Sequence, residues 1–249
     1  MVYTDHHPNS APTSVYHLYF KDNAFYRSDG TLLKVFEELP LFHDMGERGS
    51  RIYSYSEAVW PESFCIDDYI PFGRAWVWDV ASDVDGVPYC VFSVCRRDLG
   101  GNGWGYDRIW YYWAKWSGTG WERKCIARAG RPLYDKERDY AGGVALDPAN
   151  PFCVVMSSNA HEPFVCRRAN GAMELCNYPL REDGAHSLFE LTLAEDGTVQ
   201  SVREMAAGTG AIRPIVARGA DGRRGMLWLE GDYKSYRDFQ TQIMAEFID

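Results

Sequence analysis

Three short segments carry residue types suited to ligand chemistry at equivalent places in the chain. Arg74-Ala75-Trp76, Arg138-Asp139-Tyr140 and Ile212-Arg213-Pro214 each stand at the entry to an apolar, strand-like run. Arginine can pair with a carboxylate, tyrosine can move a proton, and tryptophan offers a flat apolar face to a ring. A second set stands where other such runs end: His6, His7, Arg96, His161, Asp232 and Tyr233. Any one of them is explained as well by a neighbouring acid or a loop cap. Gathered around one mouth, the set reads as a ligand-binding site. Asp139, Glu230 and Asp232 are the acids at hand for a glycoside hydrolase, which needs two carboxylates across its cleft.

Bringing these residues together requires a repeating scaffold. Apolar runs flank short turns at Val84-Asp85-Gly86-Val87, Asp147-Pro148-Ala149-Asn150 and Gly219-Ala220-Asp221-Gly222. Asp, Gly, Asn and Pro between such runs are hairpin signals. A second hairpin follows the first in the middle units: 109–116 with 121–127, closed by Gly118-Thr119-Gly120, and 187–193 with 199–205, closed by Glu195-Asp196-Gly197. The pair 14–20 and 24–28, closed by Lys21-Asp22-Asn23, matches a second hairpin, and 239–247 stands alone at the end. The repeat unit is four antiparallel strands in 65 to 70 residues, roughly, which fits a propeller blade with long loops. The expectation is an all-β fold, a β-propeller domain or propeller fragment over 1–249. About four blades are present, the first without its opening strand, as in a fragment of a seven-bladed ring. A two-sheet sandwich ranks second because it would not repeat two hairpins per unit. Long loops are expected at 31–73, 96–108, 128–139, 159–185 and 231–237, all on one face, where binding residues concentrate.

Composition narrows the partners. The formal net charge is −9, against a nucleic-acid or anionic-membrane partner, either of which needs a basic face. No apolar run approaches a membrane span, and the first residues show no signal-peptide pattern, so localisation is not readable. Aromatic residues reach 15%, which suits both sheet packing and sugar stacking. The seven cysteines follow no disulfide spacing, and Cys90, Cys125 and Cys153 fall inside apolar runs as buried thiols. No phosphate loop, nucleophile elbow or His-Glu-x-x-His zinc motif occurs. No cofactor is expected, with zinc or calcium as the alternatives. His161, Cys166, Cys176 and His186 are a minority zinc set of suitable ligand types but no standard spacing.

The runs 76–83 and 140–148, the pair Arg213-Pro214 followed by 227–233, and Thr4-Asp5-His6-His7-Pro8 with Tyr16-His17-Leu18-Tyr19 resemble the BNR-repeat family of β-propellers. Degraded Asp-box-like turns stand at Ser28-Asp29-Gly30-Thr31 and Glu195-Asp196-Gly197-Thr198. The family is similar to ulvan-lyase-type polysaccharide lyases and more remotely to sialidases. The resemblance implies a carbohydrate-active protein that cleaves a uronic-acid polysaccharide by β-elimination. It implies Tyr140 or Tyr233 as proton-transfer groups and Arg213 with His7 or His6 as carboxylate neutralisers. Arg74, Trp76 and Asp232 would bind the poly- or oligosaccharide. A sialidase-like hydrolase, with Arg74, Arg138 and Arg213 as an arginine cluster, and a non-catalytic sugar-binding propeller are the alternatives.

Overall fold

The computed structural model describes residues 1–56, 70, 73–95, 109–133, 138–160 and 184–248. These form sixteen β-strands and two short 3-10 turns, with no α-helix among the described residues. The strands make four antiparallel sheets in chain order. Sheet 1 holds β1 (Val2–Thr4), β2 (Val15–Lys21), β3 (Ala24–Arg27), β4 (Leu32–Val35) and β5 (Ser50–Tyr53). Sheet 2 holds β6 (Arg74–Ser82), β7 (Pro88–Cys95), β8 (Ile109–Trp116) and β9 (Trp121–Gly130). Sheet 3 holds β10 (Val144–Asp147), β11 (Asn150–Ser158), β12 (Ser187–Leu193) and β13 (Val199–Ala206). Sheet 4 holds β14 (Ile212–Arg218), β15 (Arg224–Ser235) and β16 (Asp238–Ile248).

Turn chemistry places the hairpins. Asp22 and Asn23 both adopt positive φ between β2 and β3, as a tight two-residue hairpin demands. At Asp29-Gly30-Thr31, Asp196-Gly197-Thr198 and Asp221-Gly222-Arg223 one device recurs. The aspartate Oδ1 accepts the backbone N–H two residues on, across a glycine with positive φ. Asp147 makes the same contact with the Ala149 amide.

The sheets pack face to face in chain order. On β7 and β8, Tyr89, Val91, Tyr111 and Trp113 enter one core cluster with Val144, Val154 and Phe189 of sheet 3. The alternate residues Cys90, Phe92, Trp110 and Tyr112 enter another with Val15, Ile52 and Tyr53 of sheet 1. Ala145, Val155 and Leu188 turn away from sheet 2 to meet Val216, Met226 and Trp228 of sheet 4. Because strand side chains alternate, a sheet buried on both faces needs apolar residues at every position of its central strands. That is why 89–92 and 109–114 read as unbroken apolar runs. Polar ends are satisfied across the interface. Tyr111 accepts from the Gly143 amide at 2.8 Å and donates to the Ser157 carbonyl at 3.0 Å, and Trp113 donates to the Pro151 carbonyl at 2.9 Å. Between sheets 3 and 4, Arg218 and Arg224 converge on Asp147 at 2.7 and 3.0 Å. Burial pushes the Asp147 carboxyl up, but the Arg218 and Ala149 hydrogen bonds and both guanidinium charges outweigh it and hold it below the usual range.

Four sheets stand where four repeats were expected, and the last has three strands as the sequence implied. Three expectations need correction. Sheet 1 does not lack a strand: β1 lies at its edge against β6, and β2 is shared. The first half of β2 is flanked by β1 and β5, and its second half pairs with β3. The segment 31–73 is therefore not one loop, since β4 and β5 lie within it. Nor is 231–237 a loop, because β15 continues to Ser235 in register with β16. The expected loops at 96–108 and, for the most part, 159–185 lie outside the described residues.

Candidate functional site

A cleft of about 680 Å³ lies at the entry ends of β6 and β14, against one face of the β15–β16 hairpin. His7, Trp76, Tyr140, Arg213 and Tyr233 line it, so five of the eight residues singled out for catalysis or substrate binding come together. Their rings form a chain. His7 meets Trp76 edge-on with centroids 4.9 Å apart, and Trp76 meets Tyr140 at 4.8 Å. The Arg213 guanidinium then stands 5.3 Å from the centroids of both Tyr140 and Tyr233, and Tyr233 stacks on Phe239 at 6.1 Å. A cation held over two aromatic faces gains about 2 kcal/mol where water is excluded.

Backbone geometry aims Arg213. The pairing of β14 with β15 jumps from Ile212–Leu229 to Ile215–Leu227, so Arg213 and Pro214 form a bulge that re-aims the arginine. Arg213 has φ +54°, uncommon for a residue with a side chain and costing about 1–3 kcal/mol. Its amide donates to the Gly142 carbonyl at 2.6 Å. Gly143, at φ +112°, packs beneath it: a Cβ there would stand 3.1 Å from the Arg213 Cα and 3.2 Å from the Trp78 ring. Strain held in place around a charged side chain is characteristic of functional sites.

The polar groups are few and specific. Arg213 Nη2 donates to the Tyr233 hydroxyl oxygen at 3.1 Å, while Nε is buried with no hydrogen-bond partner. Among the described residues no carboxylate lines the cleft, and none of the described acids forms an ion pair with Arg213. His7 Nδ1 accepts the Asn9 amide at 3.2 Å, which leaves the proton of a neutral ring on Nε2 as a donor. Tyr140 makes no side-chain hydrogen bond with a described residue. The cleft thus offers donors, a cation and apolar faces, which suits an anion carried on a ring.

Three expected residues lie elsewhere. Arg74 donates to the Pro8 carbonyl and so pins the turn that carries His7 instead of facing the cleft. Asp232 is exposed on the opposite face of β15 from Tyr233, as strand alternation requires. His6 is exposed and absent from the lining; its carbonyl accepts the Thr4 hydroxyl. Of the other acids, Asp139 is buried and Glu230 accepts from Trp228 Nε1 at 3.1 Å. Of the zinc set, His161, Cys166 and Cys176 lie outside the described residues, as does Arg96. His186 is buried with Nε2 unpartnered, and among the described residues no group of three ligating side chains could hold a metal.

The sequence reading missed Leu229, Tyr236, Phe239, Thr241 and Ile243, which form the wall of the cleft. The signal for most of them was alternation. Leu229 shares a face with Tyr233, and the register pairs Tyr233 with Phe239 and Leu229 with Ile243. No protein-family model matches the chain, and no curated protein matches it.

Proposed function

We propose that this protein is a carbohydrate-active β-propeller, or part of one, whose cleft takes an acidic unit of a polysaccharide and cleaves it as a lyase. The propeller reading is supported by face-to-face sheets in chain order and by β6, β10 and β14 lying against one another in sequence. One observation carries the functional reading: Arg213 is clamped between Tyr140 and Tyr233 in an aromatic cleft whose described lining residues include no carboxylate. A hydrolase would need two acids there, and the described lining residues supply none.

In this reading the Arg213 guanidinium, whose buried Nε–H has no hydrogen-bond partner, pairs with the uronate carboxylate, and His7 Nε2–H donates to the same group. Withdrawal of charge into that carboxylate makes the neighbouring C5 proton removable. The phenolate of one tyrosine, Tyr140 or Tyr233, takes that proton and becomes the hydroxyl. The C4–O bond breaks, its electron pair leaves with the departing sugar oxygen, and a C4–C5 double bond forms. The leaving oxygen takes up a proton from the second tyrosine. Trp76 and Phe239 stack on the flanking rings. The unsaturated product absorbs in the ultraviolet, so a panel of uronate polysaccharides assayed by absorbance tests the proposal. Arg213→Ala should abolish turnover, Arg213→Lys should retain a small fraction because it loses the planar fork, and each Tyr→Phe change should cost about 100-fold or more. Normal turnover in all of these variants would place the chemistry elsewhere.

A further inference from the structure

A second cleft, of about 620 Å³, lies between sheets 1 and 2 where their interface reaches the short turns. Its lining includes His17 and Tyr19 from β2, Ser28, Trp116 at the end of β8, and Ser82 and Asp85 at the β6–β7 turn. Among the described residues it shares no lining residue with the Arg213 cleft. Its polar floor is ordered in one direction. Trp121 Nε1 donates to Ser28 Oγ at 3.0 Å, and the serine hydroxyl stands 2.9 Å from His17 Nδ1, in place to donate to it. With Nδ1 accepting, a neutral imidazole carries its proton on Nε2, and no described residue accepts from that nitrogen. Burial lowers the His17 pKa to about 4, with the terminal ammonium adding to the effect, so the ring is neutral near pH 7.

The chemistry differs from the first cleft in one decisive respect. The charged groups in the described lining are the Asp85 carboxylate and the Met1 terminal ammonium, which donates to the Leu18 carbonyl at 2.9 Å, and neither Lys nor Arg stands among them. The two charges offset each other and the ammonium is engaged by a backbone carbonyl, so nothing in the described lining matches the guanidinium that would hold an anionic sugar. A neutral pyranose needs no such cation: its hydroxyls can donate to Asp85 and accept from His17 Nε2, and its apolar face can rest on Trp116 or Tyr19. Trp116 is half-buried and braced by Trp121, with ring centroids 6.0 Å apart, so the platform is rigid.

We propose that this second cleft binds a neutral sugar unit of a polysaccharide chain, separately from the acidic unit held at Arg213. The inference rests on the carbohydrate reading above but not on lyase chemistry. Calorimetric titration of the whole chain with xylotriose and cellotriose as neutral probes, and trigalacturonate as the acidic probe, tests it. At least one neutral trisaccharide should bind. Trp116→Ala should weaken it about tenfold, the loss of one stacked ring, while trigalacturonate binding is unchanged. Asp85→Ala, at an exposed turn, should weaken the neutral probe without disturbing the fold. Arg213→Ala should do the reverse, losing the acidic probe alone. No saturable binding of either neutral probe up to about 10 mM, or wild-type affinity in both Trp116→Ala and Asp85→Ala, overturns this site. Loss of the acidic arm alone would sink the lyase reading and leave this one standing.

Discussion

The interface between sheets 2 and 3 and the Arg213 cleft are built from the same residue types and behave as opposites. In the interface, Tyr111 and Trp113 are buried, and each polar end is consumed by backbone of the facing sheet. In the cleft, Tyr140 and Tyr233 are half-buried, and their faces hold a guanidinium. An aromatic residue whose polar tip is satisfied internally contributes packing. One whose tip and face are left to a charged neighbour is poised for a ligand. The difference lies in the partners each ring finds, since composition alone does not separate Trp113 from Trp76.

The largest stability effect should come from the interface. Trp113→Ala removes a fully buried ring and a hydrogen bond to Pro151, and should cost about 3–5 kcal/mol in denaturant unfolding. A loss below about 1 kcal/mol would mean that sheets 2 and 3 do not pack as described.

Acid should strain the interior next. Burial lowers His186 from 6.5 to about 4, so between those values the folded protein binds fewer protons than the unfolded chain. Stability therefore rises with pH through that window and is lost as pH falls through it, by about 3 kcal/mol for His186, with His17 acting in the same direction. Thermal midpoints measured from pH 7 to pH 4 should fall, and less steeply in His186→Gln. Equal slopes would remove His186 from the buried set.

A smaller loss should follow Tyr111→Phe, which keeps the ring but strands the buried Gly143 amide and Ser157 carbonyl. The expected cost is about 1–3 kcal/mol by chemical denaturation. The same change in the cleft, Tyr140→Phe, should leave stability within about 0.5 kcal/mol while reducing turnover on the uronate panel. If the two substitutions cost the same stability, the contrast between interface and cleft collapses.

Much of the fold was legible because its signals are local. The β8 and β12 strands fall at 109–116 and 187–193 as the apolar runs predict, and their hairpins close at Gly118-Thr119-Gly120 and Asp196-Gly197. Candidate residues at strand entries were legible for the same reason, which is how Trp76, Tyr140 and Arg213 came to be grouped. Strand 50–53 was not, because its four residues pair with β2 from outside a hairpin, and nothing local announces that partner.

Alternation and turn chemistry, both properties of neighbouring residues, let the sequence alone determine an all-β chain of four hairpin-rich units with aromatic and basic residues at their entries. Tertiary structure decided which of those residues act together. Arg74 and Arg213 occupy equivalent positions in the sequence, yet one is spent on the Pro8 carbonyl and the other is turned by a bulge into the cleft. Asp232 and Tyr233 are neighbours, yet the register of β15 against β16 puts them on opposite faces. Bulges and register are set by pairing between distant segments, so the direction of a side chain is fixed only when those segments meet.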